Sequence, residues 1–241
     1  MRSPVRKVLY VAMAVALGGA VLAILGPEHT PPPVALECHD GPTIDGIDVS
    51  YHQGQIEWKK VSRAGIRFAF IRVSDGLIVS DPQFHPNWQH ALDAHVARGA
   101  YQYFRPDQSA IAQADAMIAA LSRDPGELPP AIDVEETGGL KPAQLAKQIA
   151  IWIDHVRERV GVEPIIYTSP DFWKDYVAGA DMTTQALWLA HYTDECPRVP
   201  APWKNWTYWQ RSKTGRVPGI RGDVDLDVAR APATTTETAL R

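Results

Sequence analysis

Acidic residues follow several of the apolar segments in this sequence. The clearest pair is Asp133 and Glu135, in the segment Ala-Ile-Asp-Val-Glu-Glu. Because side chains alternate along a β-strand, residues at this spacing point to one side, while Val134 points to the other. Two neighbouring carboxyls repel, so one is expected to hold a proton near neutral pH. Acid-catalysed cleavage of a glycosidic bond requires a protonated acid beside an ionised carboxylate. The alternative is a pair of solvated acids at the start of a loop.

Two further acids favour the catalytic interpretation. Asp48 follows the apolar residues Ile44 and Ile47, and Asp225 lies in the segment Gly-Asp-Val-Asp-Leu-Asp. They belong to the first and the last predicted strand, which are neighbours in a closed barrel. In such a barrel the carboxyl ends of parallel strands line the active site. We therefore predict that these acids meet Asp133 and Glu135 at one barrel mouth.

Aromatic residues cluster at the same strand ends. Sugar rings have apolar faces and polar edges, which suit aromatic side chains with polar neighbours. Strand alternation sends many of these aromatic residues into the core, so only some can line a cleft. We predict that the cleft residues are Tyr103, Tyr167, Tyr192 and Trp209.

Strands and helices alternate beyond residue 40. The predicted helices cover residues 56–64, 84–98, 110–122 and 141–160, and Ser169 is expected to cap another. The eight predicted strands cover residues 43–50, 67–74, 100–104, 130–135, 164–168, 187–192, 206–211 and 224–229. This pattern is typical of α/β proteins, and eight strands can close into a barrel. We predict an irregular TIM-like (β/α) barrel over residues 44–230, in which the last three strands lack regular crossover helices and need not be parallel.

The N-terminal residues have the pattern of an export signal. A basic flank precedes an uncharged apolar run over residues 8–25. Since this run is near the lower limit for spanning a bilayer, residues 1–26 are expected to be a signal peptide or a membrane anchor. The protein is therefore predicted to be exported, and to be periplasmic, membrane-anchored or secreted. Residues 27–43 are expected to form a Pro-rich linker, and residues 231–241 a disordered tail.

Composition argues against two kinds of site. The net charge is −4 and no basic stripe is present, which disfavours nucleic-acid binding. The two cysteines, Cys38 and Cys196, are a weak basis for a metal site, but they can pair in an exported protein. Lys213, with Thr214 and Gly215, matches a motif of penicillin-binding enzymes. No Ser-x-x-Lys accompanies it, so we interpret it as a chance match at a strand end.

Taken together, the motifs resemble the glycoside hydrolase family 25 muramidases, which are lysozymes with an irregular α/β barrel. The resemblance covers about residues 44–230, and its motifs occur in the order of the family. The matching segments are residues 46–50, 53–54, 68–74, 99–104, 132–135, 165–168, 187–192, 209–210, 218–220 and 224–227.

The resemblance implies cleavage of the β-1,4 bond between N-acetylmuramic acid and N-acetylglucosamine in peptidoglycan. It implies Glu135 as the general acid and Asp133 as the partner that orients or stabilises the acetamido group of the substrate. Asp48 and Asp225 would be supporting carboxylates, and Gln210 would bind substrate. No metal or cofactor is implied. Retention through the substrate's own acetamide is expected, while an inverting route with a carboxylate-activated water stays open.

Two alternative functions fit the same scaffold. One is a glycan-binding module that has lost catalysis, although the presence of all four acids argues against it. The other is a chitinase-like hydrolase that acts on N-acetylglucosamine polymers. The absence of a wall-binding repeat favours a monomer whose partner is the peptidoglycan glycan strand. If residues 1–26 are not cleaved, the membrane is a second partner.

Overall fold

The computed structural model describes residues 34–177, 182 and 184–231. The predicted signal peptide or anchor lies outside these residues, and so does the predicted tail beyond residue 231. Within the part of the chain that is described, no helix is long and apolar enough to cross a membrane.

The strands and helices follow the predicted alternation. In chain order the strands are β1 (Val34–Leu36), β2 (Thr43–Val49), β3 (Phe68–Asp75), β4 (Val79–Ser80), β5 (Ala97–Tyr103), β6 (Ala131–Asp133), β7 (Ile165–Thr168), β8 (Leu187–Ala190), β9 (Arg198–Pro200), β10 (Tyr208–Gly215) and β11 (Val224–Arg230). The helices are α1 (Trp58–Arg63), α2 (Phe84–Asp93), α3 (Ala110–Leu121), α4 (Pro142–Val160) and α5 (Pro170–Tyr176), with a short 3-10 helix at Tyr51–Gln53.

Eight of the strands close into a barrel in the order β2-β11-β10-β8-β7-β6-β5-β3, and a pairing between β2 and β3 completes it. Neighbouring strands from β2 through β3, β5, β6, β7 and β8 to β10 are parallel. Strand β11 is antiparallel to both of its neighbours. Between β8 and β11, where every residue is described, the chain forms no helix. The prediction of an α/β barrel with an irregular end is therefore confirmed.

Alternation along the strands divides the core into two layers. One set of side chains packs between the sheet and the helices, and includes Ile132 and Val134. The other set fills the barrel interior, where the rings of Phe70 and Trp188 stack at 4.2 Å between centroids. A Cβ on Gly99 would lie 2.4 Å from the Phe70 ring, so this position requires glycine. Burial of each such aromatic side chain stabilises the fold by roughly 2–3 kcal/mol.

Local sequence signals define the helix ends. Helix α4 buries one stripe of side chains and ends at Gly161, whose φ of 76° is left-handed. Helix α5 begins after Ser169, whose hydroxyl accepts a hydrogen bond from the Phe172 N–H at 3.2 Å. Helix α2 is shorter than predicted, since the chain reverses at His95 with φ 58° and residues 97–98 already belong to β5.

The predicted linker over residues 27–43 differs from the structure where it is described. Strand β1 pairs antiparallel with β9, so that Val34 lies opposite Pro200. Cys38 and Cys196 form a disulfide with 4.8 Å between their Cα atoms. Residues 34–43 are therefore folded onto the domain, because backbone pairing and a covalent bond outweigh the extended tendency of a proline-rich sequence.

Candidate active site

The predicted acids converge on one mouth of the barrel. Asp48 lies near the end of β2 and Asp133 at the end of β6, where parallel strands present their carboxyl ends. Asp225 reaches the same mouth for a different reason. Strand β11 runs the opposite way, so its beginning lies at this edge, and Asp225 is directly opposite Asp48. Paired residues of neighbouring strands project to the same side of a sheet.

Glu135 lies just beyond β6 rather than on it. The strand ends at Asp133, so the prediction that both acids belong to one strand is wrong. The segment stays extended because the Val134 N–H donates to the Tyr167 carbonyl at 2.9 Å and the Thr168 hydroxyl donates to the Val134 carbonyl at 3.0 Å. Val134 is buried against the helices, as alternation predicted, and Glu135 is exposed to solvent.

Two effects set the protonation of this acid pair. Loss of hydration in the mouth raises the pKa of Glu135, while the nearby Tyr167 hydroxyl lowers it. Burial raises the pKa of Asp133 well above its ordinary value, and the charge of Glu135 adds to this. Asp133 is 5% exposed, and its Oδ1 atom has no hydrogen-bond partner among the described residues.

A hydrogen-bond network holds Asp48. The amide nitrogen of Gln210 donates to Asp48 Oδ2 at 2.6 Å. The amide oxygen of Gln210 accepts from the Tyr167 hydroxyl at 2.9 Å and from the Tyr192 hydroxyl at 3.0 Å. Burial, followed by the charges of Asp227 and Asp225, raises the pKa of Asp48. Gln210 therefore links three strands of the mouth and fixes the orientation of one carboxylate.

Asp227 is a fifth acid of this cluster, and it was not among the acids predicted from the sequence. It is fully buried, and its Oδ1 atom accepts a hydrogen bond from the Trp188 indole at 2.8 Å. Burial and then the charge of Asp225 raise its pKa to about 8. The signal was present, since Asp225 and Asp227 have the same spacing as Asp133 and Glu135. Burial and the charge of Glu135 also raise the pKa of Asp225 to about 6, while Lys213 acts in the opposite direction.

Three of the four predicted aromatic residues lie at the mouth. Tyr167 is buried, and Tyr192 is 48% exposed. Tyr103 is half-buried, lies opposite Asp133 in the register, and has the Arg105 guanidinium 4.5 Å from its ring centroid. All three therefore lie near the acids of the mouth.

Trp209 does not belong to this group, so its prediction as a cleft residue is wrong. It lies opposite Leu189 and Val228, which face outward, and its ring packs against Trp206 with 5.7 Å between centroids. The inward residues of β10 are its neighbours Tyr208 and Gln210. Strand alternation therefore places Trp209 on the outer wall.

The family model for glycosyl hydrolases family 25 matches residues 47–220 of this chain. The chain is 38% identical over 191 residues to uncharacterized protein YegX of Escherichia coli (strain K12). This alignment covers 77% of this chain and 69% of that protein. The chain is also 36% identical over 194 residues to lysozyme M1 of Streptomyces globisporus, and this alignment covers 76% of this chain and 66% of lysozyme M1. The chain belongs to glycosyl hydrolase family 25.

A solved structure with the same fold is the bacterial lysozyme from Streptomyces coelicolor. It superposes with a TM-score of 0.73 at 32% identity, over 81% of this chain and 95% of that one.

Arg105 links neighbouring strand ends at the mouth of this family 25 glycosyl hydrolase. Arg105 contacts both carboxylate oxygens of Asp75, at 2.5 and 2.8 Å, and Glu136 at 2.7 Å. Since Glu136 adjoins Glu135, the contact ties the acid-bearing segment to the ends of β3 and β5. A lone arginine after an aromatic strand end gave no sequence signal for this role.

On its outer wall the family 25 glycosyl hydrolase has a cavity of about 670 Å³, bordered by the disulfide, Trp209 and Arg211. This cavity lies on the side of β10 and β11 away from the acids, so it is separate from the mouth. Among the described residues, no cluster of His, Cys, Asp and Glu is arranged to hold a metal ion.

Proposed function

We propose that this protein is an N-acetylmuramidase, a lysozyme that hydrolyses the β-1,4 bond between N-acetylmuramic acid and N-acetylglucosamine in peptidoglycan. The observation that carries the proposal is the acid pair at an open barrel mouth. Glu135 is accessible to solvent, Asp133 beside it is buried, and both have a raised pKa. Membership of the family and the similarity to lysozyme M1 support the choice of substrate.

Glu135 acts in this proposal as the general acid. Its raised pKa increases the protonated fraction at a given pH, and its exposure lets it reach the bridging oxygen. It donates its proton to that oxygen as the bond to C1 breaks. General acid catalysis typically contributes about 10²–10⁴-fold to a rate.

Asp133 orients the acetamido group of the sugar that is cleaved. Its unpartnered Oδ1 atom is suited to accept a hydrogen bond from the acetamido N–H. Burial and the charge of Glu135 raise the pKa of Asp133, and the charges of Arg72 and Arg105 oppose this rise. The acetamido carbonyl oxygen then bonds to C1 from the opposite face, which gives a cyclic oxazolinium intermediate. Water attacks C1 and reopens the ring, and Glu135 takes back a proton. The two displacements together retain the configuration at C1.

The remaining acids stabilise the positive charge that develops on the sugar ring. Positive charge builds on the sugar ring as the bond to C1 lengthens, and fixed negative groups stabilise it in a site with little water. Asp48 and Asp225, which lie opposite each other on adjacent strands, are placed for this role. Gln210 holds Asp48 and thereby keeps the mouth in one arrangement.

Digestion of defined peptidoglycan tests the proposal. The wild type should release fragments with muramic acid reducing ends, identified by mass spectrometry, and Glu135→Gln should lower the rate by about 10²–10⁴-fold. Glu158→Gln is a matched control, since Glu158 is exposed on α4 away from the mouth. Its rate should equal that of the wild type.

Glucosamine reducing ends would indicate chitinase-like action and contradict the proposal. Equal and near-zero release by the wild type and both variants would indicate a glycan-binding module instead.

We also propose that the enzyme acts beyond the cytoplasmic membrane as a monomer. The basic and apolar pattern of residues 1–26 and the peptidoglycan substrate support this location. Cell fractionation tests it, because recovery of the full-length protein in the cytosol would contradict export.

A further inference from the structure

The pairing of β10 with β11 is irregular at the catalytic mouth. Gln210 lies opposite Asp227, Ser212 opposite Leu226, and Gly215 opposite Val224. Between the first two pairs, β10 advances by two residues while β11 moves by one. Strand β10 therefore contains an extra residue, Arg211, which is a β-bulge. Bulges occur next to active sites and redirect the side chains that follow them.

The bulge reverses the side to which Lys213 points. In an unbroken strand, alternation from the inward Gln210 would turn Lys213 outward. The extra residue instead gives Ser212 the outward position opposite Leu226, which packs in the outer core layer. A second register shift follows between Ser212 and Gly215, so Lys213 has no paired residue on β11. The first residue after Ser212 turns inward, and the effect of its charge on Asp225 agrees with this position. The Lys213 Nζ atom lies 5.4 Å from the ring centroid of Tyr192, which is a mouth residue.

Lys213 differs from the other cations around the mouth. Arg72 is paired with Asp81, and Arg105 with two carboxylates. Lys213 is exposed, and within the described part of the chain it forms no ion pair. It also opposes the rise in the pKa of Asp225, which agrees with its place beside that residue. Its ammonium group is thus available to a ligand.

The chemistry of the proposed substrate matches this cation. Muramic acid differs from glucosamine by a lactyl ether on O3 that ends in a carboxyl group, whereas a chitin chain has no carboxylates. Five acids surround the mouth and repel an anionic sugar, so an unpaired ammonium at the rim offsets that repulsion.

We propose that Lys213 is a specificity-determining residue that binds a carboxylate on the muramyl side of the substrate. The inference rests on the proposed muramidase function. The carboxylate has two possible sources, which are the lactyl group of a peptide-free strand and the stem peptide of a substituted strand.

Three glycan substrates separate these sources. They are peptide-free strands with free lactyl carboxylates, the same strands with the carboxyls reduced to alcohols, and strands that carry stem peptides. The enzymes are the wild type, Lys213→Gln, Lys213→Arg and the matched control Lys147→Gln, since Lys147 is exposed on α4. The measurement is kcat/KM from reducing-end release, with kcat and KM determined separately.

The wild type and Lys147→Gln should prefer carboxylate strands over reduced strands by about three- to tenfold, as expected for a partly exposed charge pair. Lys213→Gln should bring this ratio close to one, mainly through a higher KM. Lys213→Arg should keep the preference. If Lys213→Gln lowers kcat/KM only on peptide-free strands, the bound group is the lactyl carboxylate. If it also lowers kcat/KM on peptide-bearing strands, a carboxylate of the stem peptide binds as well. Both results support the proposal.

An unchanged ratio in Lys213→Gln overturns the proposal while the muramidase function stands. So does an equal loss on charged and reduced strands, because Lys213 would then act only on the enzyme's own acids. If the wild type releases no muramic acid reducing ends from any strand, the proposed muramidase function is wrong, and so is the inference that rests on it.

Discussion

Replacement of Asp227 by Asn should make the domain more stable at neutral pH. Asp227 is fully buried, its Oδ1 atom accepts from Trp188, and its Oδ2 atom has no partner among the described residues. Burial, together with the charge of Asp225, raises its pKa to about 8. Asn has nearly the same shape, keeps an oxygen for the indole, and cannot ionise.

Proton linkage gives the direction and the size of the change in the free energy of unfolding. Asp227 ionises near pH 3.8 in the unfolded chain and near 8 in the folded one, so the folded state holds an extra proton between these values. The stability of the wild type is therefore fully present below about pH 3.8 and falls as the pH rises towards about 8. Each pKa unit corresponds to about 1.4 kcal/mol, which gives a cost of about 4 kcal/mol at neutral pH. Because neighbouring acids share this proton, we expect Asp227→Asn to gain about 2–4 kcal/mol.

Urea unfolding across a pH series measures this effect. The two proteins should have similar free energies of unfolding near pH 4, and the variant should be the more stable by about 2–4 kcal/mol near pH 7. Asp45→Asn is the matched control, since Asp45 is an exposed residue of β2, and it should show no comparable gain in stability near pH 7. A variant that is less stable than the wild type near pH 7, or a difference that is constant with pH, would refute the reasoning.

Three other predictions concern activity and the disulfide. Because Glu135 must be protonated in the proposed mechanism, kcat/KM should fall as the pH rises through the raised pKa of this residue. Tyr167→Phe should move this fall to higher pH, because it removes a nearby hydroxyl that lowers the pKa of Glu135. A pH profile with an unmoved alkaline limb would count against this role of Tyr167. Nuclear magnetic resonance of the first product should show the β-anomer, whereas an α-anomer would indicate the inverting route. Reduction of the bond between Cys38 and Cys196 should lower the free energy of unfolding by about 2–4 kcal/mol in urea titrations, and an unchanged midpoint would show that β1 holds this segment without the bond.

Local sequence signals determined much of the fold and part of the site. The alternation of apolar and polar residues predicted that Asp133 faces the barrel interior while Val134 packs against the helices, as the structure has it. Cap residues such as Ser169 and Gly161 identified helix ends, because their preferences depend on a few neighbouring backbone groups. The eight strands of the barrel and the missing helices near its end were likewise predicted from periodicity, whereas β1, β4 and β9 were not.

Only the tertiary structure decided the features that depend on a partner strand. The direction of β11 brings its first residues to the mouth and places Asp225 opposite Asp48. The register of β10 against its neighbours puts Trp209 on the outer wall, and a bulge in the same strand returns Lys213 to the mouth. Strand β1 depends on pairing with residues far along the chain. Periodicity describes one strand at a time, whereas direction, register and bulges are set by hydrogen bonds between strands that are distant in the sequence.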